Sequence, residues 1–198
     1  MTGPSGRQAI VLAAGAGLRF GGGKLTALWR GRPLIMAAVR TALAAGVDKV
    51  TVVTGADDGI AGALAPLGGA RLRLISAPDW NDGLAASLRA GVSALPSPTL
   101  ATVVFLGDMP LVPAFLADQL LDAVIGGAPA AVVRSPHGPA HPVAFSAGLF
   151  PELLGLRGDR GARSVLQALG DAVVAIDCED AGAAYDVDRP EDLDYPDR

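Results

Sequence analysis

The sequence predicts a three-layer α/β/α fold with a mainly parallel central sheet. Short apolar or β-branched runs, such as residues 49–53 and 101–106, alternate with longer Ala- and Leu-rich segments of helical periodicity. Such alternation is typical of βαβ units, whose right-handed crossovers place helices on both faces of a parallel sheet. Ligands of these folds bind beyond the carboxyl ends of the strands, so the loops at those ends are the candidate functional segments.

The first half of the chain supplies three strands and three helices. Strands are predicted at 10–12, 49–53 and 71–75, where short apolar or β-branched runs are bounded by turn residues. Helices at 34–45 and 57–67 have helical periodicity and end before glycines. A third helix at 83–94 follows Asn81 and Asp82, and either side chain is a candidate cap for its first turn.

The second half continues the alternation. Strands are predicted at 101–106, 130–133, 143–146 and 172–176, and the first of these is a continuous apolar run typical of a strand buried on both faces. Helices are predicted at 113–124, from 162, and from Pro190, where Asp188 is the expected cap. The proline-rich residues 134–142 predict a loop. Its two histidines, His137 and His141, lack the further ligands of a zinc site, so no structural metal is expected.

Composition limits the kind of protein and its partners. At 198 residues, 51% of them hydrophobic, the chain suits one domain. A net charge of −4 provides no general attraction for nucleic acid. The single cysteine, Cys178, is expected to be a small packed residue in a reducing compartment. The first residues lack the apolar core of a signal peptide and no apolar segment is long enough to span a bilayer, so we expect a cytoplasmic protein with no membrane partner.

A glycine-rich segment, AIVLAAGAGLRFGGGK at residues 9–24, is the strongest functional signal. It follows the first predicted strand and contains Gly15, Gly17 and the run 21–23. Glycines allow backbone N–H groups to turn toward a phosphate and approach it closely. Arg19 and Lys24 supply positive charge, and Lys24 is one of only two lysines in the chain. The segment therefore predicts a phosphate-binding loop, with a flexible turn as the structural alternative.

Two better-known phosphate loops do not match this segment. A P-loop requires Gly and Ser or Thr at the positions that Leu18 and Leu25 occupy. The dinucleotide fingerprint GxGxxG requires a third glycine where Phe20 stands.

The remaining pattern, LAAGxGxRFGGGK, resembles the nucleotidyltransferases, and within them the MocA-like molybdenum cofactor cytidylyltransferases of the MobA-like NTP transferase family. The resemblance implies the Rossmann-like fold of the nucleotide-diphospho-sugar transferase type. It further implies one domain, with a nucleotide-binding part at about 7–110 and an acceptor-binding part at about 130–198. In this family the GxxxSLxxG pattern, here 83–91, lies over the nucleobase. The nucleotide-binding residues so implied are Leu12, Ala13, Ala14, Gly15, Gly17, Arg19, Lys24, Gly83 and Ser87.

A GDMP motif supplies a candidate metal ligand. Asp108 follows the apolar strand at 101–106, where a lone carboxylate is costly without a partner, although a simple Gly-Asp turn is the alternative. Beside a triphosphate the partner would be Mg²⁺, with Mn²⁺ also suitable. GDMP resembles the metal-binding signature of the same family. The closing segment DVDRPEDL resembles the family motif in which Asp188 completes the metal site, with Asp186 as a competitor.

Two further motifs resemble those of the molybdopterin branch. They are HPVAF at 141–145 and GDRGAR at 158–163, although Ala140 stands where many relatives have glycine. The second motif gathers arginines that suit an anionic acceptor; a solvated loop before a helix is the alternative. The acceptor-binding residues implied are His141, Pro142, Asp159, Arg160 and Arg163.

Together these resemblances imply transfer of CMP from CTP to the terminal phosphate of molybdenum cofactor, with release of pyrophosphate. Lys24, Arg19 and Asp108 would be the catalytic residues, acting through position and charge. The LAAG sequence favours CTP over GTP, and a molybdenum hydroxylase would receive the product. The alternatives are a cofactor-binding maturation chaperone without transfer activity, a guanylyltransferase, and a nucleotidyltransferase for another phosphorylated acceptor.

Overall fold

The computed structural model describes residues 5–136, 138–159 and 161–194. In these ranges the main elements, in chain order, are β1 (Arg7–Ala13), β2 (Leu28–Trp29), β3 (Arg32–Pro33), α1 (Ile35–Ala44), β4 (Lys49–Thr54), α2 (Ile60–Leu64), β5 (Leu72–Ser76), α3 (Leu84–Ser93), β6 (Ala101–Leu106), α4 (Ala114–Ile125), β7 (Ala130–Ser135), β8 (Gly138–Ser146), α5 (Phe150–Leu154), α6 (Arg163–Leu169) and β9 (Val174–Asp177). Short 3₁₀ helices connect several of them.

Seven strands form the central sheet in the order β5-β4-β1-β6-β8-β7-β9. Strands β5, β4, β1 and β6 are parallel neighbours, as are β7 and β9, whereas β8 runs antiparallel to both β6 and β7. The predicted mainly parallel α/β fold is thus confirmed. Leu12 at the end of β1 pairs with Leu106 at the end of β6. The glycine loop and the GDMP motif therefore leave the sheet side by side.

Both faces of the sheet are covered, which is why the strands are apolar throughout. Alternate residues of β1 point to opposite sides: Val11 joins a core with α1 and α4, and Ile10 joins a second core with α3 and α5. Cys178 is 6% exposed and belongs to the first core, as expected of a packed cysteine. In the part of the chain that the structure describes, no helix is long and apolar enough to cross a membrane.

The prediction of a loop at residues 134–142 is wrong at both ends, because Arg134 and Ser135 belong to β7 and residues 138–142 belong to β8. This strand pairs with β6 on one side and β7 on the other, with an irregularity in register between Val132 and Val133. Pro142 lacks an N–H group for a regular ladder, and such residues are tolerated where pairing is irregular. Sequence periodicity does not reveal this, since prolines argue locally against a strand.

The helix predicted at 57–67 begins later, at Ile60, and ends in a 3₁₀ turn at Ala65–Leu67. Asp57 stays outside it because its carboxylate accepts a hydrogen bond from the Gly59 N–H. The small hairpin of β2 and β3 was not predicted from the sequence.

Close packing beneath the glycine loop predicts a stability effect at Gly55. A Cβ atom there would lie 2.6 Å from the Ala14 carbonyl oxygen and 2.7 Å from Trp80 Cγ. We expect Gly55→Ala to lower the free energy of unfolding by about 1–3 kcal/mol, because the backbone cannot yield cheaply. Urea denaturation measures this. The control is Gly62→Ala in exposed α2, where nothing lies within 4 Å and a gain of about 0.5–1 kcal/mol is expected; equal stability of the two variants would contradict the packing argument.

Candidate active site

The glycine loop folds back on itself between β1 and a short 3₁₀ turn, Lys24–Thr26. Gly17 and the run 21–23 have φ between 59° and 95°, the left-handed region that glycine adopts without strain. A Cβ atom on Gly17 would lie 3.0 Å from Lys24 Cβ. The glycines therefore allow the close approach that brings Lys24 back beside the end of the sheet.

Lys24 lies at the centre of a cluster of charges. Its Nζ is 2.6 Å from Asp108 Oδ2 and 3.6 Å from Asp188 Oδ1, and Arg19 donates a 2.8 Å hydrogen bond to Asp188 Oδ2. The Lys24 and Asp108 side chains are only 13% and 23% exposed. The structure thus brings together four charged side chains singled out in the sequence, from three distant segments. Their roles in catalysis and metal binding remain predictions.

Asp108 retains one oxygen that fits a metal ligand. Its Oδ1 is buried and has no hydrogen-bond partner, which is costly for a carboxylate. Among the residues described, no group of three or more His, Cys, Asp or Glu side chains is arranged to hold a metal. The side chains that could hold a hard divalent ion here are Asp108 and Asp188, and phosphate oxygens and water are the further ligands that Mg²⁺ prefers.

The neighbouring Asp186 is the less suitable ligand. Partial burial of its carboxyl group raises its pKa, and the negative charges of Asp188 and Asp108 raise it further. Asp188, by contrast, already pairs with Arg19 and Lys24. Of the two candidates for the second ligand, the electrostatics favour Asp188.

The capping predicted at Pro190 is reversed. The Asp188 side chain was expected to cap the helix, whereas the Asp188 N–H group donates to the Asp192 side chain. Asp192 Oδ2 accepts hydrogen bonds from the N–H groups of Asp188 (2.8 Å) and Arg189 (2.7 Å), and these lower the pKa of Asp192. The element itself is a 3₁₀ helix, Pro190–Asp194. A further bond from the Val187 N–H to the Asp108 carbonyl, 3.0 Å, holds this segment against the end of β6. The position of Asp188 is thus fixed through the hydrogen bond that its backbone N–H group donates to Asp192.

The residues expected to bind the nucleotide line the other side of the loop. Ala13 and Ala14, at the end of β1, are each 2% exposed, and the Ala14 carbonyl accepts a 3.1 Å hydrogen bond from Ala56. Gly83, not Asn81 or Asp82, is the N-cap of α3, with φ 97° and no side-chain cap. The predicted capping was wrong because those two residues form a 3₁₀ turn of their own. Ser87 is 5% exposed in the first turns of α3.

Those residues expected to bind the acceptor that the structure describes lie on β8 (His141 and Pro142) and at or just before the start of α6 (Asp159 and Arg163). Asp159 lies against Gly83, where a Cβ atom would be 2.2 Å from Asp159 Oδ1, and the preceding Gly158 carbonyl accepts a 3.1 Å bond from Ala85. This segment therefore packs on the start of α3. Arg163 begins α6, and in the described part of the chain no hydrogen bond or ion pair joins it to the charged cluster. Arg160 lies outside the described residues, as does His137.

His141 lies beside the charged cluster, on the strand next to β6. Its Nδ1 is 3.3 Å from the Val104 carbonyl oxygen, so Nδ1 is the protonated nitrogen. Burial lowers the pKa of His141, although the hydrogen bond to Val104 and the charge of Asp108 oppose this. The imidazole is therefore neutral near pH 7, and Pro142 follows it in β8.

Two supporting residues were not found from the sequence. Asp57 accepts a 3.1 Å hydrogen bond from Thr26 Oγ1, and Asp192 holds the backbone of Asp188. The pattern Asp-x-Gly at Asp57 does indicate a local turn, but its contact with Thr26, 31 residues away, leaves no signal in the sequence.

Residues 9–173 match the protein family described as MobA-like NTP transferase domain. A nicotine blue oxidoreductase of Paenarthrobacter nicotinovorans is 32% identical over 191 residues, and the purine catabolism protein PucB of Bacillus subtilis is 31% identical over 195; each comparison covers 93% of both chains. A 2-C-methyl-D-erythritol 4-phosphate cytidylyltransferase of Streptomyces coelicolor is 34% identical over 143 residues, 67% of this chain and 51% of that one.

Solved structures also resemble this chain over most of its length. Rv0371c of Mycobacterium tuberculosis superposes with a TM-score of 0.79 at 27% identity, covering 94% of both chains. A complex of Rv0371c with manganese has a TM-score of 0.77 at 26% identity and covers 94% of this chain and 95% of that one. The fold is that of the nucleotide-diphospho-sugar transferases.

The contacts of Asp192 predict a pH-dependent contribution to stability. Because its folded-state pKa is lowered, the contribution is present above the ordinary carboxyl pKa of about 3.9 and is lost as pH falls through the lower folded value. We expect Asp192→Asn to reduce the free energy of unfolding at pH 7, with a difference from wild type that shrinks at pH 3. Denaturation at both pH values measures this, with exposed Asp194→Asn as the charge-matched control. A difference that does not depend on pH would contradict the assignment.

Proposed function

The chain belongs to the MobA-like NTP transferase family, and on that premise we propose that it transfers CMP from CTP to the terminal phosphate of molybdenum cofactor. In this reaction an oxygen of the acceptor phosphate forms a bond to the α-phosphorus of CTP. The bond from that phosphorus to the β-phosphate oxygen breaks, and pyrophosphate leaves. The products are a dinucleotide form of the cofactor and pyrophosphate.

The observation that carries the proposal is the cluster of Lys24, Asp108 and Asp188 beside the glycine loop. Phosphoryl and nucleotidyl transfer need little covalent help from a protein, because positioning and charge neutralisation provide most of the rate enhancement. The Lys24 ammonium and the Arg19 guanidinium supply positive charge, and the loop backbone supplies N–H donors for the phosphates. Neither a nucleophilic side chain nor a strong general base is required.

A divalent cation would be held by Asp108 and Asp188, and the unpartnered Oδ1 of Asp108 supports this. When bound, Mg²⁺ or Mn²⁺ supplies Lewis-acid neutralisation of the phosphate oxygens. The manganese complex of Rv0371c supports a divalent ion in a protein of this fold.

The choice of CTP is supported by the packing of the LAAG segment. Ala14 is 2% exposed, and a Cβ atom at Gly55 would be 2.8 Å from Ala14 Cβ. The alanine side chain therefore fills space at the end of β1 beside Gly55. In the resembled family an alanine here favours CTP over GTP, and this resemblance supports the smaller base. The cytidylyltransferase of Streptomyces coelicolor, 34% identical over the aligned region, is named for transfer of the same nucleotide.

The choice of acceptor is supported by the HPVAF and GDRGAR motifs, which resemble those of the molybdopterin branch. The charge of Asp108 acts on His141, and Asp159 Oδ1 lies where a Cβ atom on Gly83 would be; both observations support an acceptor site beside the proposed nucleotide site. Transfer to a polyol phosphate, as the Streptomyces relative is named for, is the competing acceptor. A cofactor-binding chaperone that performs no transfer would keep the acceptor motifs without needing Lys24.

A second activity is suggested by the name of the relative from Paenarthrobacter, which is an oxidoreductase. The glycine loop argues against a dinucleotide redox cofactor in this position, because Phe20 occupies the place of the third fingerprint glycine. The charged cluster at the end of β6 is suited to phosphate chemistry.

The proposal is tested by incubating the protein with Mg²⁺, molybdenum cofactor and each of the four nucleoside triphosphates, and identifying the product by mass. We expect a cytidine dinucleotide product with CTP and one pyrophosphate for each product formed. CTP should also raise the melting temperature more than GTP does. A guanine product would assign the guanylyl branch, and cofactor binding without pyrophosphate release would indicate a chaperone. Turnover with 2-C-methyl-D-erythritol 4-phosphate alone would assign the other acceptor.

Replacing the central lysine tests the charge-stabilising role. We expect Lys24→Ala to lower kcat by about 10²–10³-fold, the usual cost of losing one group that stabilises transition-state charge. The circular dichroism spectrum should keep its wild-type shape, whereas the melting temperature should fall, because Asp108 loses its partner. Steady-state pyrophosphate release measures the effect, with Lys49→Ala, at the far end of β4, as the control. Wild-type rates in Lys24→Ala would refute the role.

A further inference from the structure

The turn that carries Lys24 needs support from outside the glycine loop. It follows three consecutive glycines with positive φ and comprises only Lys24–Thr26. Glycine has the largest conformational freedom of any residue in the unfolded chain, so this backbone is expensive to fix. Within the turn, the N–H groups of Thr26 and Ala27 bond to the Gly23 carbonyl at 3.2 and 3.0 Å. These local bonds shape the turn but do not orient it relative to the sheet.

The orientation comes from the loop that follows β4. Thr26 Oγ1 lies 3.1 Å from Asp57 Oδ2 and 3.0 Å from the Gly23 carbonyl oxygen. The other carboxylate oxygen, Asp57 Oδ1, accepts a 2.8 Å hydrogen bond from the Gly59 N–H at the start of α2. The carboxylate is therefore held in place by the helix entry and presents its second oxygen to the threonine.

Packing reinforces this contact. A Cβ atom on Gly59 would lie 3.1 Å from Thr26 Cγ2, so the threonine methyl group rests on the glycine backbone. Leu25, between Lys24 and Thr26, is 6% exposed and belongs to the core. A cleft lies between the two segments, with Gly23, Lys24, Asp57 and Gly59 among its walls.

We infer that Asp57 is a positioning residue for Lys24, acting through the hydroxyl of Thr26. Its carboxylate connects the start of α2 to the lysine turn, and the connection keeps Lys24 Nζ at the ends of β1 and β6, beside Asp108. Hydrogen bonds to a charged acceptor are stronger than neutral ones, which suits a contact that acts together with the core packing of Leu25 and the ion pair of Lys24 with Asp108. The effect on catalysis rests on the proposed function, whereas the contact between Asp57 and Thr26 and its effect on the turn do not.

The first test compares Asp57→Ala with Thr26→Val, which keeps the shape of the side chain but removes the hydroxyl. We expect each to lower kcat/KM for CTP by about tenfold, since small displacements of a catalytic group are costly. Thr26→Val also removes the contact of Oγ1 with the Gly23 carbonyl, so the double variant should be no worse than Thr26→Val alone. Thr26→Ser, which keeps the hydroxyl, should restore most of the activity.

The control is Asp58→Ala. Asp58 is the exposed neighbour of Asp57 and carries the same charge on the same loop, so its removal tests for a general electrostatic effect. We expect its kcat/KM to equal that of wild type. Losses that add in the Asp57 and Thr26 double variant, or an equal loss in Asp58→Ala, would overturn the inference.

Amide hydrogen exchange gives a readout that does not depend on turnover. The N–H groups of Thr26 and Ala27 should exchange faster in Asp57→Ala and Thr26→Val than in wild type and Asp58→Ala, because the turn opens more often. Unchanged exchange rates of these two N–H groups in Asp57→Ala and Thr26→Val would show that the contact between Asp57 and Thr26 does not hold the turn. Faster exchange with unchanged kcat/KM would show that Asp57 serves structure alone and would also overturn the positioning role. Absence of turnover in the wild-type chain would count against the proposed function. The exchange rates would still test whether the contact between Asp57 and Thr26 holds the turn.

Discussion

The ion pair of Lys24 and Asp108 is the constraint on which the rest of the site depends. Its two charged atoms are 2.6 Å apart, and both side chains are largely removed from water. Removing one partner from such a pair leaves a buried charge without compensation, which is far more costly than losing a surface contact. The glycine loop must therefore return to the end of β6, and the positive φ angles of its glycines are what allow that path.

The cluster is balanced in charge before any substrate binds. Lys24 and Arg19 offset the charges of Asp108 and Asp188. A divalent cation would leave the site positive, which suits a triphosphate in a chain whose overall charge is −4. The attraction for substrate is thus local and does not come from the protein as a whole.

Sequence patterns predict the parts of this molecule that depend on local physics. The apolar run of β6 and the glycines after β1 each follow from the residues themselves. The parallel direction of β4, β1 and β6 follows from their alternation with helices, whereas their order in the sheet does not. The second half of β8, residues 143–146, was predicted, but its first half, residues 138–142, could not be found in this way, because pairing with two neighbours outweighs the local effect of its prolines. The sequence also could not predict whether the Asp188 side chain or the Asp192 side chain accepts the capping hydrogen bonds. An aspartate before Pro190 and one after it satisfy the same local rule, and only the fold decides which side chain accepts the bonds.

The two predicted parts of the site, one for the nucleobase and one for the acceptor, meet at Gly83. Sequence reasoning assigns it to the nucleobase and Asp159 to the acceptor, as though these were separate sites. The structure places an oxygen of Asp159 where a side chain at Gly83 would have to be, and the Gly158 carbonyl bonds to the next turn of α3. Its φ of 97° excludes most other residues on conformational grounds alone. Glycine is therefore required here for two independent reasons, and the second of them arises only because the segment at 158–159 packs directly on the start of α3.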